Sequence, residues 1–323
     1  MSAIQLSSVT KRFGDVTAVR DLDLTVETGE IYGFLGPNGA GKSTTINMLL
    51  DFVRPTEGTV TVLGEPVGDA GAALRERIGV LPEGFDVYSR LSGRKHIEFA
   101  IESKDAADDP EAILDRVGLS EAADRPAGGY SKGMAQRLAL GMALVGEPDL
   151  LILDEPGTGL DPAGAREMRT IVRREADRGA TVFFSSHVLG QVEAVCDRVG
   201  ILHEGELATE DSIQGLREAS DSEATLILTV DDATDDDLDP VRAIDGVSGA
   251  AVDGELVTVA CESAVKSDAI ATLGEAGVEI HDVETESTSL EELFLSHTDG
   301  EGVVERSETA TEDREVAAPE GGR

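Results

Sequence analysis

"IYGFLGPNGAGKST", residues 31–44, decides the fold. Its first five residues read as a strand buried on both faces. They run into Gly36–Ser43, which fits G-x-x-x-x-G-K-[ST], and an apolar helix is expected from about Ser43. A buried strand, a glycine-rich loop and a helix in succession are the context that marks a phosphate-binding loop. Glycines let backbone N–H groups turn inward around phosphate oxygens without Cβ clashes. Lys42 is expected to reach the β and γ phosphates, Ser43 to offer its hydroxyl to Mg²⁺, and Thr44 to donate to another phosphate oxygen. The competing reading is an ordinary glycine-rich turn, and motif and context together weigh against it.

"LLILDEP", residues 150–156, supplies what that loop lacks. Four apolar residues bury a strand whose end falls at the ligand-facing edge of a sheet. Asp154 is expected to hold Mg²⁺ through a water, and Glu155 to take a proton from an attacking water. "VFFSSH", residues 182–187, is a further buried strand, which puts His187 at the same edge and within reach of a γ-phosphate. Alone, two acids and a histidine would read as solvated strand ends.

Strands alternating with helices imply a parallel α/β sheet. Residues 85–145 lack β-rich runs and read as an inserted helical subdomain, and "AIQLSSV" (3–9) and "DLDLTVE" (21–27) alternate as half-buried strands. After Glu210 a second unit begins. "EATLILTV", a short helix at 238–244, "GAAV", "ELVTVAC", the helix "AVKSDAIATLGEAG" and "VEIHDVET" follow as β-α-β-β-α-β, the order of a ferredoxin-like sandwich. The organisation expected is therefore 1–210, 211–298 and a disordered acidic tail, 299–323.

The chain has 323 residues and a formal charge of −37, from 27 basic against 64 acidic residues. Acidity of that size opposes binding to nucleic acid and to anionic membranes. It has no single location, which fits a protein kept soluble in high salt. Cys196 and Cys261 stand in no metal-type spacing and read as buried thiols of a reducing compartment. The N-terminus lacks a signal-peptide core, and no apolar run approaches a membrane span, so a cytoplasmic protein is expected.

One stretch remains, "GGYSKGMAQRLALG", residues 128–141. From Met134 it is apolar at helical spacing, and small residues with a cation precede it. That is either an N-capped core helix or an anion site at a helix N-terminus.

The phosphate loop, "YSKGM", "LLILDEP", "GLDP" and "SSH" together resemble the ATP-binding subunits of ABC transporters, over roughly residues 1–210. The C-terminal unit, ending "STSLEELFLSHT" (287–298), resembles the extra domain of drug- and antibiotic-export members. The resemblance implies a P-loop ATPase of ABC type that uses ATP and Mg²⁺. Phe13 would stack on adenine; Gly36, Pro37, Asn38, Gly39, Ala40, Gly41, Lys42, Ser43 and Thr44 would hold the phosphates. Asp154 would position Mg²⁺, Glu155 would be the general base and His187 would contact the γ-phosphate. Ser131, Lys132 and Gly133 correspond to the signature loop, with Lys where Gly is usual. Gly159-Leu160-Asp161 corresponds to the loop crossing between subunits. Glu83, in "IGVLPEGFDVY", stands where Gln is typical and could approach Mg²⁺, although an ionised Glu offers only acceptors.

These roles imply two chains packed head to tail, each ATP held by Gly36–Ser43 of one and Ser131–Gly133 of the other. A separate integral membrane permease would be driven by that closure through Glu83 and residues 85–100, placing the protein on the inner face of the cell membrane, with export the expected direction. The alternatives are an ABC-type ATPase acting on nucleic acid or ribosomes, which the charge opposes, and a low-turnover regulatory ATP-binding module.

Overall fold

The computed structural model describes residues 2–68, 71–216, 223–231 and 233–287. The "LEELFL" segment and the acidic tail lie outside the described residues.

The alternating strands β1 (Ser2–Phe13) and β2 (Val16–Glu27) form a hairpin. With β3 (Ile31–Leu35), α1 (Lys42–Leu49), β4 (Glu57–Val62) and β5 (Glu65–Pro66), the first sixty-odd residues already build parts of two sheets. β2-β1-β4-β5 is one antiparallel sheet, not part of the expected parallel one. The reason lies in the pattern: Ile4, Leu6, Leu22, Leu24 and Val26 are buried while Asp23 and Thr25, which alternate with them, are exposed. One-sided burial suits antiparallel pairing, and two-sided burial suits parallel pairing.

The second sheet contains β6 (Ile78–Leu81), β7 (Leu150–Asp154), β8 (Thr181–Ser186), β9 (Arg198–His203) and β10 (Glu206–Ser212). Its order is β10-β9-β3-β8-β7-β6, parallel except for the edge strand β10. Every residue of β3, β7 and β8 is buried. Their side chains alternate between two cores. Leu151 and Leu153 join one, Leu150 and Ile152 the other, as the period of a strand requires.

The first core is completed by the helical subdomain, α3 (Gly93–Lys104), α4 (Pro110–Arg116) and α5 (Lys132–Ala143). These follow the short α2 (Ala72–Glu76). Ile97, Ile113, Leu114, Leu138 and Leu140 pack in one cluster with Leu81 and Leu153. The second core lies between the two sheets, where Phe183 sits 5.1 Å from Phe34 and 6.0 Å from Tyr32, centroid to centroid. α6 (Pro162–Asp177) and α7 (Leu189–Glu193) connect β7 to β8 and β8 to β9. Arg116 of α4 bonds Glu175 of α6, which is 4% exposed, and this charge-assisted pair links the subdomain to the sheet's helices.

β11 (Glu223–Asp231), α8 (Asp239–Arg242), β12 (Val247–Asp253), β13 (Leu256–Glu262), α9 (Lys266–Glu275) and β14 (Glu279–Ser287) form the ferredoxin-like order β12-β13-β11-β14 around a core of their own. Cys196 and Cys261 are both free and buried.

Candidate nucleotide site

Strands β3, β8 and β7 are neighbours, so the loops leaving their C-terminal ends converge. They deliver Gly36–Ser43, His187 and Asp154-Glu155 to one edge, the crevice where open α/β sheets place ligands. A cavity of about 150 Å³ there is lined by Asn38, Gly39, Gly41–Thr44, Glu83, Asp154, Glu155 and Ala18 of β2. Ala18 carried no sequence signal.

Gly41 caps α1 at φ 108°, a conformation open to glycine. A Cβ there would also come within 2.5 Å of the Ala18 carbonyl oxygen. The loop is therefore folded tightly against the hairpin, with the start of α1 aimed at the cavity. Lys42 is 6% exposed and folds back on its own loop, donating to the carbonyls of Gly36 (2.6 Å) and Pro37 (3.2 Å). Burial pulls its ammonium below the usual lysine range, partly offset by Glu155, Asp154 and Glu83.

Glu155 is 5% exposed and has φ 50°, in the left-handed region. A buried glutamate in that conformation is a strained arrangement of the type that clusters at working sites. Both carboxylate oxygens are held. His187 Nδ1 lies 2.9 Å from Oε1, with Lys42 Nζ at 3.8 Å, and Thr158 Oγ1 donates to Oε2 at 3.1 Å. A carboxylate only accepts, so His187 carries its proton on Nδ1. The histidine expected at a γ-phosphate is here bound to the general-base candidate. Thr158 was not singled out from the sequence, since a threonine three residues past an acid carries no motif.

Asp154 is 7% exposed, and its Oδ1 accepts no hydrogen bond among the described residues. Burial pushes this carboxyl up, with the negative charge of Glu83 and Glu155 adding to it and the Ser185 hydroxyl and Lys42 working against it. A buried oxygen with unused acceptor capacity, beside Ser43 and Glu83, fits the hard-cation chemistry of Mg²⁺.

The remaining candidates lie outside the cavity. Phe13 stands at the hairpin tip, 49% exposed, with Lys11 Nζ 4.8 Å from its ring centroid. Ser131 is the N-cap of α5, accepting from Met134 N, so the helix begins at Lys132 rather than Met134. Asp161 caps α6 in the same way, accepting from Gly164 N at 2.7 Å. Neither Ser131, Lys132 nor Gly133 lines the cavity of its own chain.

A family profile described as ABC transporter matches residues 19–158. A bacitracin transport ATP-binding protein of Bacillus licheniformis is 41% identical over 213 residues, 64% of this chain and 69% of that protein. The linearmycin resistance ATP-binding protein of Bacillus subtilis is 30% identical over 91% of this chain and 98% of its own length. The chain belongs to the ABC transporter family. A Nod factor export ATP-binding protein of Burkholderia lata is 38% identical, covering 68% of this ABC ATPase and 74% of its own chain. Among solved structures, the ATP-binding subunit of an ABC transporter superposes with TM-score 0.60 at 26% identity, over 68% of this chain and 93% of that one. A dimeric ATP-binding cassette bound to ADP and phosphate, 24% identical, shares the fold with TM-score 0.58, over 65% of this chain and 98% of its own. As a member of this family the protein is an ATP-hydrolysing cassette, and the cavity is where its phosphate loop and strand-end acids meet.

Proposed function

We propose that this ABC ATPase hydrolyses MgATP at the interface of a head-to-tail pair and drives a membrane permease in export. The observation that carries the reading is the meeting of Lys42, Asp154 and Glu155 in one cavity, with Glu155 oriented by His187 and Thr158. Gly36–Thr44 would hold the phosphates, Ser43 and Asp154 with Glu83 beside them would hold Mg²⁺, and Phe13 would meet the adenine. Mg²⁺ would neutralise charge on the phosphates. Glu155 would accept the proton of the attacking water once one of its oxygens is released.

Pairing is supported by what the cavity lacks. Ser131–Gly133 fall outside it, so a second copy would bring them to the γ-phosphate, with Asp161 near the crossing. A solved cassette of the same fold is dimeric, which supports pairing itself. The permease is supported by a second, mainly apolar cavity of about 600 Å³ bounded by α1, β6, α3 and α5. Phe52 and Phe99 in its lining are 74% and 54% exposed, and Ser43, Glu83 and Asp154 line both this cavity and the nucleotide cavity. A cytoplasmic segment of the permease would fit there, and the protein would sit on the inner membrane face. No helix among the described residues is long and apolar enough to cross a membrane. Export follows the functions named for the relatives. Residues 211–298 would form an accessory unit.

Co-expression with a candidate permease tests this reading. ATPase activity that co-purifies with the permease, and that is lost from the complex in the Phe52→Asp, Phe99→Asp variant, is the expected result. Full activity in a strictly monomeric protein would overturn the paired site.

A further inference from the structure

Lys132 is the residue at the start of α5 that the ABC pattern does not explain. Its side chain is exposed, yet it is laid over a neighbouring loop. It lies across Gly159, where the space for a Cβ is filled by the Lys132 ammonium, with Cε at 3.0 Å and Cδ at 3.5 Å. Gly159 has φ 68°. The next residue, Leu160, approaches within 4.0 Å of where a Gly133 Cβ would stand, and Gly164 Cα within 3.7 Å. The first turn of α5 therefore rests on the loop Gly157–Asp161 through two consecutive residues. That loop also carries Thr158, whose hydroxyl holds Glu155 Oε2 at 3.1 Å, and its other side is pressed by Gln191, which fills the space a Gly157 Cβ would need.

We infer that Lys132 is a positioning residue, which clamps the Gly157–Asp161 loop from within its own chain and so holds Thr158 against Glu155. Loops placed by one glycine and one covering side chain have a narrow choice of conformation, because any shift opens a gap or makes an overlap. The ammonium and the end of the stem supply that cover, although the residue as a whole is exposed. The same residue thereby connects the two functional stretches that the strand order leaves apart. When α5 moves, the loop bearing Thr158 moves with it, and the grip on Glu155 changes. The inference rests on Glu155 being the general base of the proposed site.

A double-mutant cycle on the full chain tests it. Lys132→Ala should lower kcat by about three- to tenfold at unchanged KM for ATP. Gly159→Ala should lower kcat by roughly tenfold in the parent but by less than about threefold in the Lys132→Ala background, because the overlap is gone while the cost of the left-handed backbone is common to both. Hydrogen exchange of amides 157–161 should be faster in Lys132→Ala than in the parent, a readout that does not depend on turnover. Equal loss from Gly159→Ala in both backgrounds, or unchanged exchange, overturns the clamp. A raised KM in Lys132→Ala also overturns it, since the side chain would then serve bound nucleotide. Glu155→Gln is the separate control: wild-type turnover in that variant removes the general base itself, whatever the cycle gives.

Discussion

His187 Nδ1 lies 2.9 Å from Glu155 Oε1, and this contact joins the end of β8 to the end of the neighbouring β7. It makes the histidine a holder of the base. With its proton on Nδ1, a neutral imidazole has only an acceptor at Nε2 and cannot donate to a phosphate oxygen. Contact with a γ-phosphate therefore requires the ring to leave Glu155 or to take a second proton. His187→Ala should lower kcat by about 10- to 100-fold, the rate equivalent of one lost charge-assisted hydrogen bond, with ATP binding little changed. Steady-state ATPase assays beside nucleotide-binding titrations separate the two effects.

Glu155→Gln should retain ATP binding and lose turnover by on the order of 10²–10⁴, the usual worth of a positioned base. The amide keeps the shape of the side chain, and its oxygen can still accept from Thr158 Oγ1, so the fold should be intact. Fluorescent-nucleotide binding with single-turnover hydrolysis checks this, and near-parent hydrolysis would remove Glu155 from the role.

The phosphate loop was legible because everything it needs lies within residues 31–49. The acids of β7 and the histidine after β8 were legible as candidates for the same reason: each ends a locally apolar strand. Their pairing was not, because it depends on the order β3-β8-β7, in which sequence neighbours are not sheet neighbours. The antiparallel sheet was missed for a related reason. Its register sets Ile4 against Val62, and nothing local to either stretch announces a partner that far along the chain. Strands β9 and β10 are a third case, since the turn Glu204-Gly205 that joins them does not reveal that β9 pairs on its other side with β3, far earlier in the chain. The cover of Gly159 by Lys132 also depends on distant parts of the chain being brought together.

Gly41→Ala should damage both stability and nucleotide binding. An alanine at φ 108° costs roughly 1–2 kcal/mol in backbone energy. Its Cβ would stand 2.5 Å from the Ala18 carbonyl oxygen, a backbone atom that cannot turn aside. Relieving that overlap adds about 1–3 kcal/mol or displaces the loop. Urea denaturation should show a lower midpoint, and ATP should no longer raise it.

Arg116→Ala should loosen the helical subdomain. Glu175 is 4% exposed and receives Arg116 and, at 3.0 Å, Arg178, which is itself more than half exposed. Removing Arg116 leaves a buried carboxylate with one solvent-screened partner. Breaking a buried pair costs about 3–5 kcal/mol, and the remaining arginine should reduce this to about 2–3 kcal/mol. Replacing both partners, as Arg116→Met with Glu175→Leu, should recover most of the loss, since no buried charge then remains. A stability loss below about 1 kcal/mol in Arg116→Ala would show that Arg178 alone suffices.

The net charge of −37 should make the folded chain salt-dependent. Acidic residues outnumber basic ones by 64 to 27, and they recur through both the cassette and the C-terminal unit. Compaction brings these charges together, so self-repulsion opposes folding. Raising KCl from about 0.1 M to about 1 M shortens the screening length from about 10 Å to about 3 Å, which removes most of the repulsion between surface carboxylates that are not paired. The exposed ion pairs, Arg12–Glu57 and Arg20–Glu206 among them, weaken in the same salt, but such pairs contribute little each. The repulsive term therefore dominates, and Tm should rise with KCl. Sucrose at matched water activity controls for general exclusion effects, and it should give a smaller rise. A Tm that falls with KCl would show that the ion pairs outweigh the net charge.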